Sequence, residues 1–554
     1  MTAATSRFVH TWPYRMSAIQ ALLISEKVPH SHRWGIICML FFPLIVAAQG
    51  WEDSLLTRMN NMAETLSREL QPWPVPDRVF KVEEHGAVAD GCTMNTVAIQ
   101  RTIDACASAG GGVVLFNSGK YLTGTLYLRS NVMLQVDKDA VILGSRDHER
   151  DYPATPLDQP YTNPETGFEY RSMPDPDKPN RQINNANPRQ QALFIAIRQE
   201  NIGIRGEGMI DFQGYKWNPT YALGRNTTGR HPFGLRILEC RNVNIQGIYL
   251  KNSNKWMQLY VHCENVLIEN IRVLNQVSFE NDGLDLDGCR NVIVRNCVFS
   301  TEDDGLCLKG MSGLVTENIL IENCAIYSQC NAFKIGTDTE GDFRNILLRN
   351  CILGGIPPDS TTYFRFRRTR KHGVDSGVAL EAVDGGTTEN IVIQDCTILR
   401  SNTPIFLRSG RRNRTCKQRP DPVHGTLRNI VITGITGKDC EKDGSFISGI
   451  ESSWIHNITI RDYVLEAKGI RRDVTRKIKK LEDGYPDANQ FNWLGRGFPA
   501  SGFWIRNARD IRFENVRIRP SGKKSKRPCI RLAENTQGIT VNGQDLKEEW
   551  MECK

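Results

Sequence analysis

The sequence predicts an all-β chain wound into a right-handed parallel β-helix, and three observations carry that prediction. A short motif recurs from residue 201 onward: Asn, then two β-branched or aliphatic residues flanking one variable position. It reads NIGI at 201, NVNI at 242, NVLI at 265, NVIV at 291, NILI at 318, NILL at 345, NIVI at 390 and 429, and NITI at 457, with DIRF at 510 a degenerate copy. The central copies are spaced by 23, 26, 27 and 27 residues, the period of a solenoid whose neighbouring coils bury each other's strands. Each unit holds two or three alternating runs separated by polar turns, with almost no helical periodicity. A second ladder follows, of Asn270, Asn296, Asn323 and Asn350, trailed by Cys297, Cys324, Cys351 and, after a longer coil, Cys396. Stacked Asn side chains can satisfy turn backbone groups from coil to coil. Cysteines repeated at one position read as small apolar core fillers, with disulfides between them the alternative.

The elements follow in order. Residues 32–50, HRWGIICMLFFPLIVAAQG, place basic residues ahead of an apolar run from Trp34 to Val46, which ends in small residues suited to cleavage after Ala48. That run of about 13 residues is short of the roughly 20 that a bilayer span needs. The expectation is a signal peptide over 1–48 and a secreted or periplasmic protein, with a membrane anchor as the alternative. The polar stretch ahead of the run is long for a signal and points to a start at Met16. Residues 49–79 read as an amphipathic lead-in. NTVAIQRTIDACASAG (95–110) has helical apolar spacing and is expected to cap the open end of the core, and 110–145 reads as short strands with glycine turns. Residues 146–192 and 353–376 are irregular excursions of the kind that shape a groove on one face. The solenoid, a single catalytic domain, is assigned to 80–545, with 546–554 as a C-terminal tail.

Composition is that of a soluble globular chain: 40% hydrophobic, 24% charged, with mean hydropathy −0.40 over 554 residues. The formal charge of +8 is modest and fits an anionic polysaccharide better than nucleic acid. The basic runs SGKKSKR (521–527) and RRDVTRKIKK (471–480) are unaccompanied by any nucleic-acid motif and read as solvated faces. Sixteen cysteines, less Cys38 in the signal, leave an odd number, and their ladder spacing argues against a disulfide framework. Nothing in the sequence sets the oligomeric state.

Two consecutive coils carry acids at matching places. ENDGLDLDG (280–288) supplies Asp282, Asp285 and Asp287, while TEDDGLCLKG (301–310) supplies Asp303 and Asp304. Asp282 and Asp303 are 21 residues apart, slightly less than one coil, so they should neighbour each other on one face. In both segments Gly follows the acid and an apolar-polar-apolar strand begins. Glycosidic hydrolysis needs a protonated carboxyl to donate to the leaving oxygen and an ionised one to activate water or attack. Crowded carboxylates supply both, because repulsion raises one pKa while another stays low. The alternatives are acids that merely populate solenoid turns, or that hold Ca²⁺ structurally or for an elimination.

These stretches resemble glycoside hydrolase family 28, the polygalacturonases and their relatives, over about residues 80–545. HGAVADG, NTVAIQRTIDAC, GGGVV and GKYLTGTLYLRSNV are similar to the start of that family, and GEGMIDFQG (206–214) and NSNKWMQLY (252–260) to its early coils. The family's Asn-Thr-Asp-Gly motif is matched by ENDGLD and its Gly-Asp-Asp motif by EDDGLCLK. The resemblance implies a pectate-lyase-like solenoid that hydrolyses a pectin-like or other acidic polysaccharide with inversion. It implies Asp303 as general acid, Asp282 with Asp304 positioning the water, and neither cofactor nor metal. Glu302 stands at a family glycine and is expected at the groove edge.

Two departures bear on the substrate. The family's Gly-His-Gly stretch aligns with CNAFKIGTDT (330–339), putting Asn331 at the histidine, and its Arg-Ile-Lys motif with GVALEAVDGG (377–386), leaving Ala379 and Glu381. A Glu where a Lys should meet a uronate disfavours that sugar. Substrate contacts are expected from Asp285, Lys309, Asn331, Lys334, Glu381 and Arg408, with Lys309, Lys334 or Arg408 meeting the carboxylate. TPIFLRSGRR (403–412) and DGYPDANQFNWLGRGFPASGFWIRN (483–507) look like a divergent bacterial branch. Three rivals stand beside this reading: shifted specificity for a rhamnose- or galactose-containing glycan, a β-helix lyase or C5-epimerase, and a binding solenoid without turnover.

Overall fold

Each motif Asn adopts the left-handed region that an L side chain other than Asn or Asp seldom enters. Asn201, Asn242, Asn265, Asn291, Asn318, Asn345, Asn390, Asn429 and Asn457 have φ of 54–58°. The amide then reaches the matching residue one coil earlier. Asn242 Nδ2 donates to Asn201 Oδ1 (2.9 Å), Asn265 to Asn242 (3.0 Å), Asn291 to Asn265 (3.3 Å), Asn318 to Asn291 (3.1 Å) and Asn345 to Asn318 (3.2 Å). This amide chain runs along the first ladder. The second, Asn270 through Asn350, is also left-handed and marks a corner at which the chain turns between two faces of the coil.

The computed structural model describes residues 50–148, 150–153, 191–214, 232–278, 280–357, 373–412, 423–441, 444–468, 498–521 and 527–551, and the backbone alone of 174–175 and 178–182. The expected signal peptide, most of the 146–192 excursion, residues 358–372 and the basic run at 471–480 lie outside these residues. Among those described, the fold is the expected right-handed parallel β-helix. The motif strands and the short strands after the Asn corner belong to one 25-stranded sheet, and a 13-stranded sheet forms the remaining face.

The strands of that second sheet are β1 (Leu126–Tyr127), β2 (Ala192–Ile197), β3 (Phe233–Leu238), β4 (Gln258–Val261), β5 (Leu284–Asp287), β6 (Leu306–Lys309), β7 (Asn331–Ile335), β8 (Val374–Ala382), β9 (Ser401–Ser409), β10 (Ser445–Ser448), β11 (Phe503–Arg506), β12 (Ile530–Leu532) and β13 (Glu549–Trp550). Pairing is parallel from β1 to β12; β13 closes the sheet antiparallel. The stretch 546–554, expected as a tail, therefore contributes a strand, with Ile530 opposite Trp550. Cys297, Cys324, Cys351 and Cys396 are buried free thiols in the core, as the filler reading expects, whereas Cys529 is disulfide-bonded.

Two helices fix the ends and flank of this solenoid. Helix α1 (Trp51–Glu69) lays Leu55, Met59, Ala63 and Leu66 on Leu267, Ile293, Leu320, Leu347, Val392 and Val431, which are the variable positions of six consecutive motif copies. Burying each such side chain contributes about 1.5–3 kcal/mol. Arg512 to Glu52 (2.6 Å), Arg461 to Asp53 (3.0 Å) and Arg349 to Asn60 (3.1 Å) tie the helix to separate coils. Helix α2 (Thr96–Ser108) buries Ile99, Ile103 and Cys106 in the main core, the capping role expected of 95–110.

The Asn ladder makes a separable prediction about stability. Asn318→Ala should lose both amide bonds and force Ala to φ near 57°, costing about 2–4 kcal/mol in chemical denaturation. Asn318→Gly, which accepts that φ, should cost less by about 1 kcal/mol. Equal losses would remove the left-handed backbone from the account.

Candidate active site

The acidic turns are held from beneath before any carboxyl is considered. Asn281 Oδ1 accepts from the N–H groups of Val277 (2.9 Å) and Ser278 (2.6 Å), and its Nδ2 donates to the carbonyls of Ser253 and Lys255 at 3.0 Å. Thr301 Oγ1 (2.8 Å) and Ser328 Oγ (2.5 Å) both donate to the Asp303 carbonyl. Gly283 N donates to Asp304 O (3.0 Å) and Gly305 N to Asn331 O (2.8 Å). Asp282, Asp304 and Asn331 therefore stand at one register position on three successive coils. The glycine after each acid is required by that stacking: a Cβ on Gly283 would lie 2.5 Å from Gly305 O, and one on Gly305 2.7 Å from Ala332 O.

The strands that follow aim alternate residues outward. Asp285 pairs across to Cys307 and Cys307 to Lys334, and Asp287 pairs to Lys309. This converges Asp282, Asp285, Asp304, Lys309, Asn331 and Lys334, all buried, with Asp303 half-buried. Lys334 Nζ lies 3.3 Å from Asp304 Oδ2, and Lys309 Nζ lies 3.9 Å from both Asp282 Oδ2 and Asp285 Oδ1. The Lys309 ammonium also sits 4.8 Å from the centroid of the Trp256 ring. Asn331 Nδ2 donates to Asp304 Oδ1 at 2.6 Å. Among the described residues of this cluster, the buried acceptors Asp282 Oδ1, Asp285 Oδ1 and Oδ2, Asp287 Oδ2 and Asn331 Oδ1 have no hydrogen-bond partner.

These surroundings drive the carboxyls apart. Burial raises Asp304, but Lys334, Lys309 and the Asn331 amide outweigh it and hold that carboxyl at about 2. Burial pushes Asp285 up to about 8 despite Lys309, and Asp287 up to about 7 against two bonds from Ser312. Asp282 is pushed well above the usual carboxylate range by burial and by Asp285 and Asp303. Burial alone would lower Lys309, yet the acids around it hold its ammonium well above the ordinary value. The cluster thus pairs an ionised carboxylate with proton-holding ones, the division acid–base chemistry needs.

The other expected contacts lie farther along the same face. Glu381, on β8, is one coil beyond Lys334; Arg408, on β9, is two coils beyond, opposite Glu381 in register, and donates to Ser448 Oγ at 3.0 Å. Ala379 is the direct neighbour of Lys334. Glu302 is not at the groove edge: it is fully buried, in a turn whose backbone is held by the bond from Glu302 N to Asn275 O (2.8 Å) one coil earlier. Motif reading did not single out Trp256 or Cys330. Register offered a signal for Trp256, since Met257 N bonds to Asp282 O (2.9 Å). Asp338 and Asp384 are tied to Arg412, which donates to Asp384 Oδ1 (2.7 Å) and Asp338 Oδ1 (3.0 Å).

Comparison with known proteins covers part of this constellation. Residues 180–353 match the model of the glycosyl hydrolases family 28, a span that contains Asp282, Asp303, Asp304, Asn331 and Lys334 but not Glu381 or Arg408. A probable polygalacturonase of Vitis vinifera is 27% identical over 276 residues, covering 48% of this chain and 52% of the relative. An exo-poly-alpha-D-galacturonosidase of Dickeya chrysanthemi is 26% identical over 268 residues, 41% of each. The chain thus spans about half the length, or less, of these curated relatives. Among solved structures, a hyperthermoactive exopolygalacturonase from Thermotoga maritima aligns with TM-score 0.55 at 22% identity, covering 74% of this chain and 91% of that one. A family 28 exopolygalacturonase from Yersinia enterocolitica aligns with TM-score 0.58 at 17% identity, covering 85% and 79%. These two share the fold. The resemblance drawn from the motifs is to this same family.

Asp285 yields a pH prediction. Between its ordinary value of 3.8 and about 8, the folded state holds a proton that the unfolded chain has lost. Stability from this group is therefore full below pH 3.8 and falls as pH rises toward 8. Asp285→Asn should melt at a higher temperature than the parent, by an increment that grows from pH 4 to pH 8 and then levels. An increment independent of pH would mean that Asp285 is ionised in the fold.

Proposed function

We propose, from a chain whose residues 180–353 match glycosyl hydrolases family 28, that this protein is a glycoside hydrolase acting on a pectin-like or other acidic polysaccharide with inversion. Residues 80–545 would be its catalytic solenoid, and 1–48 an export signal that delivers it outside the cell or to the periplasm. The observation that carries the reading is the split among stacked carboxyls: Asp304 held at about 2 beside half-buried Asp303, with Asp282 one coil away.

In this mechanism Asp303, the acid of the trio with partial access to solvent, donates its proton to the glycosidic oxygen. Asp304, kept ionised by Lys334 and Lys309, accepts a proton from water on the opposite side of the sugar, and Asp282 orients that water by hydrogen bonding. The acidic surroundings also favour the positive charge that develops on the sugar ring as the bond breaks. Buried acceptors on Asp282, Asp287 and Asn331 suit sugar hydroxyls, whose O–H groups would complete them.

A second reading concerns the sugar alone. Lys309 and Lys334 are engaged with carboxylates, and Glu381 and Ala379 occupy the outward positions beside Lys334. That arrangement favours a neutral galactose- or rhamnose-type residue at this subsite over a uronate.

Both readings meet one experiment, a panel of plant and algal polysaccharides digested by wild type and Asp303→Asn, with product anomers followed by NMR. The expected result is release of inverted product by wild type and a fall in kcat of about 10²–10⁴-fold in the variant, with KM little changed. Cleavage of polygalacturonate favours the acidic substrate and cleavage confined to neutral galactans the second reading. An unsaturated, ultraviolet-absorbing product, or equal rates for the two proteins, would falsify the hydrolytic mechanism.

A further inference from the structure

We infer that the groove between helix α1 and the first Asn ladder binds a strand of acidic polysaccharide, apart from the acidic cluster. A cavity of about 640 Å³ opens there, within the roughly 300–1,000 Å³ of small-ligand sites. One side is the motif Asn of four consecutive coils, Asn242, Asn265, Asn291 and Asn318; the other is the flank of α1 that carries Arg58, Asn61 and Thr65. The ladder strands belong to the 25-stranded sheet, whereas the acids lead into β5 and β6 of the 13-stranded one. Helix α1 runs along the stack, since its apolar side covers Leu267 through Val431. From Arg58 to Glu69 it advances about 16 Å, and four coils span about 14 Å. The two sides therefore keep step along the groove.

Both sides hold hydrogen-bonding capacity that the fold leaves unused. Each of the four Asn side chains gives one N–H to the coil before and accepts one from the coil after. A primary amide has two N–H groups and two lone pairs, so one of each is left over, on side chains that are half-buried. Among the described residues, Arg58, Asn61 and Thr65 engage no hydrogen-bond or ion-pair partner, whereas Asn60, on the other flank of α1, is taken by Arg349 (3.1 Å). A donor and an acceptor repeated once per coil suit sugar hydroxyls, which give and take bonds, and an extended 1,4-linked glycan advances by a comparable length per sugar. Met62 and Leu66, in the same lining, offer apolar surface to the C–H face of a ring. Charge selects among glycans. Glu69, the acid of the lining, is engaged by Arg68 at 3.1 Å, which leaves Arg58 as the cation open to a carboxylate. The acidic cluster has less to offer, because Lys309 and Lys334 are already set against Asp282, Asp285 and Asp304. A uronate-bearing strand is therefore gripped at α1.

This site stands independently of the hydrolase reading, so the experiment locates binding and does not depend on turnover. Polygalacturonate, or a neutral galactan of matched length, is added to the full chain carrying Asp303→Asn. Hydrogen exchange is then read by mass spectrometry at 58–71, on and just after α1, and at 306–309, beside the acids. Polygalacturonate should slow exchange at 58–71, and the galactan should have little effect there. Arg58→Ala combined with Asn61→Ala should abolish that slowing and weaken binding at α1 by about tenfold. Its melting temperature should match the parent's, because neither side chain has a partner in the fold. Arg101→Ala, which removes an exposed arginine of α2, should bind as the parent does. No slowing at 58–71 with either glycan, or equal slowing in the double variant, would overturn the site. Equal slowing by the galactan would overturn its preference for acidic chains. Slowing at 58–71 with none at 306–309 supports the site while counting against the hydrolase reading.

Discussion

Coil-to-coil register is the constraint on which everything else here depends, and a left-handed Asn with its side-chain amide enforces it. A parallel strand that slips by one residue turns its whole buried set outward. In this chain a slip would also break the amide bond from each motif Asn to the one before it and push a β-branched residue into the left-handed region. Because the same register runs through the following turn, Asp282, Asp304 and Asn331 arrive at one position on successive coils without any contact between them being needed to bring them there. The geometry of the acidic cluster is inherited from the ladder, and the glycines behind the acids let the turns stack closely.

That inheritance places charge where folding alone would not. Buried carboxyls with acceptors that lack hydrogen-bond partners cost stability, and the two buried lysines offset only part of this. Asp304 gains the most from them, which is why it stays ionised while burial keeps protons on Asp285 and Asp287. A solenoid tolerates such a patch because its stability is spread along many coils, each contributing its own apolar layer. The strap of α1 adds to that reserve on the opposite flank, covering coils from Leu267 to Val431 and reaching Arg461 and Arg512 by ion pairs. Site and reinforcement lie on different faces, so the strained side of the molecule is not the side that supports it.

The repeat, the parallel sheets, the capping helix at 96–108 and the meeting of Asp282 with Asp303 and Asp304 were all legible in the sequence, because each leaves a periodic trace or an aligned motif. The strap was legible in principle and overlooked. The variable motif position is Leu, Ile, Leu, Leu, Val and Val in the six copies from 265 to 429, but Asn at 244 and Thr at 459. An outward position that is apolar in consecutive coils has to be covered, and 51–69 carries the matching apolar spacing. Glu302 was misplaced for a different reason: a polar residue in a turn reads as exposed, and only the turn's actual path shows it turned inward. The strand at Glu549–Trp550 leaves too short a run for any pattern to register.

The outward columns of the 13-stranded sheet also explain why chemistry is confined to a few coils. Read along one register, Ile195, Arg236 and Leu259 precede the site, Asp285, Cys307 and Lys334 form it, and Ala379, Phe406, Phe446 and Trp504 follow. Phe406 and Phe446 stack at 5.1 Å and 17°, and Phe446 and Trp504 approach to 5.4 Å, so the column beyond the site serves packing. Arg236, the charged residue ahead of it, is buried over the Phe233 ring at 5.2 Å, and burial lowers it to about 9. In this column the polar stretch is thus three coils wide, about 10 Å at the usual strand spacing. Within so short a window Lys309 and Lys334 are already engaged in balancing the acids. Charge recognition of a ligand is therefore limited by what the acids leave over, and Glu381, one coil beyond Lys334, narrows that margin further.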